Sequence, residues 1–366
     1  MAALAPAVAG TGSARVKPHR VGLVVGKFCP LHRGHQVLLD HAQAACEWLV
    51  VVSYTRPEFD GLWPARREQW LRNLYPQAQH WVLDDARLAA LCQQRGVPVR
   101  ALPHNDEDDA THRHFVAWLL REIVRSDVDA VFTSEAYGPG FAAVLSQEQQ
   151  QRGGRAVVHV AVDPARVRVP TSGTAIRSDL HAHRQLLAPQ VYGDFVRRVV
   201  LLGGESTGKS TLAVHLAQRC GSVHAAEYGR ELWEAQEGVL QEADLLRIAR
   251  TQVARETQLL ADAQRWLVCD TSPLTTLLYA QAMFDRAEPA LVALAMRRYD
   301  LVLLCGPDVP FVQDGTRRDP AFRQWQHDWY VRELDARGVP YQTLHGDWQA
   351  RTQAAWQALQ QADAVV

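Results

Sequence analysis

Short, continuous apolar runs alternate along this chain with stretches whose apolar residues recur at helical spacing. In the first half the runs predict strands over 21–25, 48–53, 80–83, 97–101, 130–134 and 157–162. Helical periodicity predicts helices over 34–46, 66–74, 84–95, 112–124 and 173–187. Runs that are apolar throughout, not alternating, suit strands covered on both faces, and their alternation with helices indicates β-α-β units with parallel strands. The pattern breaks at Pro189–Gly193 and then restarts. Strands are predicted over 198–202, 223–226, 266–269 and 300–305, with helices over 209–219, 242–264, 272–283 and 320–337. The reading is α/β: a flexible segment over 1–19, then two three-layer parallel-sheet domains, 20–190 and 195–366, with no internal repeat relating them.

Composition narrows what those domains do. The 366 residues carry 39 basic and 40 acidic side chains, a net charge of −1, so no general basic field exists to hold a nucleic-acid backbone. The six cysteines lie apart with no C-x-x-C pair, which fits incidental thiols in a reducing, cytoplasmic setting. No apolar run is long enough to span a membrane. The first 20 residues lack the long apolar core of a signal peptide.

The strongest chemical signal is Gly203-Gly204-Glu205-Ser206-Thr207-Gly208-Lys209-Ser210-Thr211, preceded by an apolar strand and followed by a helix. This is the full phosphate-loop pattern G-x-x-x-x-G-K-[ST] in the strand–loop–helix setting it requires. Its backbone N–H groups suit a β-phosphate, Lys209 the β- and γ-phosphates, and Ser210 a Mg²⁺ ion. Downstream, Glu227 ends a strand beside Tyr228 and Arg230; a carboxylate there can accept a hydroxyl proton while the arginine meets phosphate. Trp266–Asp270 is an apolar strand ending in a carboxylate, the arrangement that faces Asp270 toward Mg²⁺. Asp314-Gly315-Thr316-Arg317-Arg318 reads as a lid whose arginines Arg317 and Arg318 bring charge to a transferring phosphoryl group.

The first half carries its own anion site. Gly26-Lys27-Phe28-Cys29-Pro30-Leu31-His32-Arg33-Gly34-His35 follows the first strand directly and opens a helix. Two imidazoles at a helix N-terminus, with Lys27 nearby, can donate to phosphate oxygens. At the far end of this half, Thr171-Ser172-Gly173-Thr174-Ala175-Ile176-Arg177 combines a helix cap with two hydroxyls, a glycine and an arginine, the makings of a phosphate clamp.

Together these segments resemble the nucleotidyltransferase superfamily marked by H-x-G-H and S-x-T-x-x-R. The resemblance implies attack of an oxygen on the α-phosphorus of ATP, with His32, His35, Lys27, Ser172, Thr174 and Arg177 around the triphosphate. Gly26–His32, the helix containing Arg66 and Trp70, and Thr133-Ser134-Glu135-Ala136-Tyr137-Gly138 are most similar to the bifunctional NadR family, as are Asp270-Thr271 and Asp314-Gly315-Thr316-Arg317. That likeness spans about residues 20–355. It implies an adenylyltransferase followed by a kinase, acting on nicotinamide riboside, nicotinamide mononucleotide (NMN) and NAD, with ATP and Mg²⁺ at work and no redox cofactor or structural metal. Ser134, Glu135, Arg66 and Trp118 are then candidates for binding the mononucleotide, and Glu227, Tyr228 and Arg230 for the riboside. Some relatives carry an N-terminal helix-turn-helix; His32 lies too near the start for one, so no sequence-specific DNA binding is expected. Two other readings stay open on sequence. One is a phosphopantetheine adenylyltransferase fused to a dephospho-coenzyme-A kinase; the other is a nucleotide sensor without turnover. The oligomeric state is open, a homo-oligomer included.

Overall fold

The computed structural model describes residues 17–315 and 317–364. Most of the segment expected to be flexible, 1–19, lies outside the described residues, as does Thr316. The chain divides into two compact units, Met1–Ala188 and Pro189–Val366.

In the first unit the elements run β1 (His19–Val25), α1 (Arg33–Ala45), β2 (Cys46–Tyr54), α2 (Pro64–Leu74), β3 (Gln79–Leu83), α3 (Asp85–Arg95), α4 (Asp109–Leu119), β4 (Ala130–Thr133), α5 (Gly138–Gln150), β5 (Val158–Ala161) and α6 (Gly173–Ser178). The sheet order is β3-β2-β1-β4-β5, parallel at every pairing. The central runs behave as their sequence requires: Leu23, Val24, Val51, Val52, Val131 and Phe132 are all at or near zero exposure, because helices cover both faces. Strand order reverses between β1 and β4, and the crevice beyond the carboxyl ends of those strands is where such sheets receive ligands. The loop after β1 and the loop after β4 both open there.

The second unit runs α7 (Pro189–Tyr192), β6 (Arg197–Gly203), α8 (Lys209–Arg219), β7 (His224–Ala225), α9 (Tyr228–Ala235), α10 (Glu242–Leu259), β8 (Trp266–Asp270), α11 (Pro273–Phe284), α12 (Pro289–Leu294), β9 (Leu301–Cys305), α13 (Pro320–Ala336), β10 (Gln342–Leu344) and α14 (Trp348–Ala364). Its sheet is again wholly parallel, in the order β10-β9-β6-β8-β7. A core of Val199, Leu201, Leu212, Leu216, Trp266 and Leu303 joins the sheet to α8.

Two parallel-sheet α/β units are thus what the apolar pattern predicted, but several elements differ. The expected strand over 97–101 is a surface connection: Pro98 offers no N–H, Val99 is 58% exposed, and the segment is pinned when the Leu102 N–H donates to Asp85. The expected helix over 173–187 stops at Ser178. Asp179 leaves helical geometry and its carboxylate accepts the Ala182 N–H, a local bond that competes with the helix. The helix expected over 112–124 begins at Asp109, capped by Asp108, and its last turn is wider, of π type over Leu120–Val124. Helix α5 opens with Gly-Pro-Gly, which reads as a turn in sequence although Pro is well suited to a first helical turn. Helices α9, α12 and α14 and the three-residue strand β10 also have no counterpart in the apolar pattern.

Candidate active sites

The first unit holds a cleft of about 550 Å³ at the switch point of its sheet. His32 is the N-cap of α1, and the two histidines cap the helix reciprocally. His32 Nδ1 accepts the His35 N–H and His35 Nδ1 accepts the His32 N–H, each at 3.3 Å. The rings stack with centroids 3.6 Å apart. Since Nδ1 is an acceptor in both rings, the remaining proton of each neutral imidazole sits on Nε2, leaving that atom as a donor. Burial, with the nearby positive charge of Arg166 and Arg177, lowers His32 to about 4. Burial first, then His32 and Arg166, holds His35 well below the usual histidine range. Both rings are therefore neutral donors at pH 7, where the motif alone was compatible with imidazolium.

Across the cleft, Ser172 caps α6 by accepting the Ala175 N–H at 3.2 Å. Arg177 is held by Cys29 O at 2.6 Å and Thr174 Oγ1 at 3.1 Å, and lies over the Phe59 ring at 4.1 Å. Those bonds join the second motif to the loop of the first. Gly173 is required by this closeness: a Cβ there would come within 3.0 Å of Arg177 Nη1 and 3.1 Å of Cys29 O. Lys27 is exposed on the cleft wall, with Nζ 3.5 Å from Asn105 O. Ser134 and Glu135 line the same cleft, and Glu135 accepts from Arg166 at 2.9 Å.

Arg66 and Trp118 are not brought to this cleft. Arg66 Nη1 donates to Gly61 O at 2.7 Å, and Trp118 packs on the unit's core with Arg100 over its ring. Arg67, not Arg66, is the fully buried member of the pair, held by Glu58 at 2.9 and 3.0 Å. Trp70 is also core. The structure adds Arg166, Asn105 and His112 to the wall, beside Thr171 of the clamp segment. Thr171 Oγ1 is buried with no protein partner, an atom ready for a ligand oxygen. Its place next to Ser172 was a usable signal; Arg166 and His112 had none.

In the second unit a cavity of about 430 Å³ is lined by Gly203, Gly208, Lys209, Ser210, Thr211, Glu227, Arg230, Arg317 and Arg318, among others. The loop takes its shape from backbone that side chains disfavour. Gly203 has φ 139, and a Cβ there would meet Cys305 O at 2.6 Å. Lys209 Nζ donates to Gly204 O at 2.8 Å, folded back over the loop. Glu227, at the start of α9, has its carboxyl raised above the usual range by burial first and Asp270 second. Asp270 is 3% exposed at the end of β8, and its Oδ1 has no hydrogen-bond partner. Arg230 lies 3.9 Å from both Glu227 and Asp314, while Arg317 pairs with Asp314 at 2.9 Å and reaches Ser206 Oγ at 3.3 Å. Arg317 is thus turned inward over the phosphate loop; Arg318 also lines the cavity, and its guanidinium lies over Phe322.

Tyr228 does not line this cavity; its ring packs under Arg255. Glu205, Tyr279 and Gln326 do, joined by Tyr279 Oη donating to Glu205 at 3.0 Å and Gln326 Oε1 accepting the Glu205 N–H at 2.7 Å. They come from a loop and two helices far apart in sequence, which no local spacing marks. A smaller cleft of about 370 Å³ abuts the other side of the loop, between Leu212, Val309, Pro310, Val312, Trp348 and Arg351.

An AAA-domain family model matches residues 198–351. The trifunctional NAD biosynthesis/regulator protein NadR of Escherichia coli (strain K12) is 28% identical over 309 residues, 81% of this chain and 71% of that protein. NadR of Salmonella typhimurium is 28% identical over 308 residues, with the same coverage. The chain is homologous to NadR. A crystal structure of NadR protein in complex with NR superposes with a TM-score of 0.67 at 22% identity, covering 96% of this chain and 98% of that one. A second, in complex with NAD and AMP-PNP, gives 0.66 at 21%. The fold of NadR thus extends over nearly all of this chain, phosphate-loop unit included. Among the described residues no helix is long and apolar enough to cross a membrane.

Proposed function

We propose that the chain makes NAD in successive steps, a kinase step in the second unit and an adenylyl transfer in the first. The observation that carries this is the coexistence of a reciprocal histidine cap facing Arg177 and a phosphate loop facing Glu227, in a chain homologous to NadR.

In the second unit, ATP would lay its phosphates in the loop, with its base in the cleft beside Trp348. Nicotinamide riboside would enter the cavity below. Glu227 would accept the proton of the riboside hydroxyl as that oxygen attacks the γ-phosphorus; the bond to the β–γ bridging oxygen breaks and ADP leaves. A carboxyl pKa raised above the usual range makes Glu227 a stronger proton acceptor than an ordinary carboxylate. Lys209, Arg317 and Arg230 would balance charge on the moving phosphoryl group.

The residues present fit Mg²⁺. Ser210 follows Lys209 in the first turn of α8, and Asp270 offers a buried oxygen with no other partner. Among the described residues no cluster of three or more His, Cys, Asp or Glu could hold a metal by itself. An ion here would therefore take its remaining ligands from phosphate and water, as Mg²⁺ does. When bound it would neutralise the β- and γ-oxygens.

In the first unit, a phosphate oxygen of NMN would attack the α-phosphorus of ATP, releasing pyrophosphate and forming NAD. No proton need move. The Nε2–H groups of His32 and His35, with Lys27, Thr174 and Arg177, would hold the triphosphate and stabilise charge at the reacting phosphorus. Ser134, Glu135 and Arg166 would flank the mononucleotide.

Chromatography of the products tests this reading. NMN with ATP should yield NAD and pyrophosphate, and nicotinamide riboside with ATP should yield NMN and ADP. Phosphopantetheine and dephospho-coenzyme A should be left unchanged; turnover of those two instead, or nucleotide binding without any product, would overturn it.

A further inference from the structure

Helix α9 begins at Tyr228, and its N-cap residue, Glu227, makes no side-chain cap bond. Side chains at that position commonly turn back onto the first helical N–H groups. Ser272 and Asp319 do so at the starts of α11 and α13. At α9 the task falls to another helix: Gln252 of α10 accepts the Tyr228 N–H at Oε1, 3.0 Å away. Gln252 is 2% exposed, an amide in a buried stripe that also holds Leu245, Ile248, Ala249 and Glu256, and it lines the same cavity as Glu227. Its neighbour Arg255 strengthens the grip, donating to Ala226 O at 3.0 Å and to Glu231 Oε1 at 2.5 Å.

The bond at Oε1 sets which way the amide points. Nε2 is then a buried donor with no protein partner. Such a donor is destabilising unless something completes it, and an acceptor oxygen on a cavity occupant would do so.

We propose that Gln252 is a positioning residue for phosphoryl transfer. It caps α9 in place of Glu227, which leaves the Glu227 carboxylate free toward the cavity, and it offers its amide N–H to an oxygen of the phosphoryl acceptor. The inference rests on the reading of Glu227 as the base.

The test uses the full chain with ATP, Mg²⁺ and nicotinamide riboside. Gln252→Met keeps the length and removes both functions; Gln252→Glu keeps an oxygen for the Tyr228 N–H. Gln252→Met should lower kcat roughly tenfold to a hundredfold and raise KM for the riboside, with KM for ATP unchanged. Gln252→Glu should recover most of kcat but move the acidic limb of the pH profile upward. The added carboxylate would join Asp270, Glu205, Tyr279 and Tyr330 around Glu227, with Lys209 and Arg230 opposing. Gln252 lies in the second unit, so an unchanged KM for ATP in the kinase step, with a wild-type circular dichroism spectrum, reports that this unit is folded, and unchanged adenylyl transfer reports the same of the first unit. A Gln252→Met protein with wild-type kinase kinetics and only a lower melting temperature would overturn the proposal. So would equal kinetic losses in both variants with an unmoved acidic limb. Glu227→Gln separates the two levels: if it stays active, the base reading fails and this inference with it. If it is dead while Gln252→Met is fully active, this inference alone fails.

Discussion

At the residue scale, the histidine pair shows why a motif and its chemistry are different things. H-x-G-H was legible because its members are nearly consecutive and follow a strand. That the rings cap each other, stack and stay neutral was not legible, since it depends on burial and on Arg166 and Arg177 arriving from a distant part of the chain. Arg66 and Arg67 make the same point: adjacent arginines look alike in sequence, and only packing against Glu58 decides which is buried.

The neutral pair has a consequence for stability. His32 is lowered from 6.5 to about 4, whereas the unfolded chain titrates normally. Between those values the unfolded state binds more protons, so this contribution is present above pH 6.5 and is lost as pH falls toward 4. Urea unfolding of the full chain should show wild type losing more stability than His32→Gln between pH 7 and about 4.5. Equal losses would contradict the burial argument. For turnover, His35→Ala should cost adenylyl transfer about a hundredfold by removing a donor aimed at phosphate, measured as NAD formed from NMN.

At the scale of elements, the helix starts matter most. Helix α1, α6 and α8 each present their N-terminus to a cleft, and in α6 the cap itself, Ser172, lies on the cleft wall. Ser172→Ala should destabilise this short helix by about 1 kcal/mol and raise the KM for ATP of adenylyl transfer, leaving the kinase step alone. Gly173→Ala should be worse in the same assay, because its Cβ would press on Arg177 and on Cys29 O. The elements missed in sequence fail for specific reasons. Gly-Pro-Gly hides the start of α5, and β10 is only three residues long. Conversely, the run over 97–101 is apolar enough for a strand, but Pro98 removes a ladder donor and the segment stays outside the sheet.

At the scale of the whole molecule, each unit has its own sheet, its own core and its own cleft. The alternation of apolar runs and helical stretches was sufficient to show two such units, because parallel strands buried on both faces leave an uninterrupted apolar signature. The side chains that complete each cleft were beyond it, since they converge only in three dimensions. Separate cores predict separable activities. Lys209→Ala should abolish phosphorylation of the riboside yet leave NMN adenylylation intact, and His35→Ala should leave phosphorylation intact while lowering adenylylation by the factor given above. If either substitution silenced both reactions in a folded protein, the units would not act independently.

The central claim is tested most directly by feeding the purified chain nicotinamide riboside, ATP and Mg²⁺ and following all products with time. NMN should appear first and then NAD, with one ADP and one pyrophosphate released for each NAD made. Riboside left untouched under these conditions, while a pantetheine compound is turned over, would contradict it.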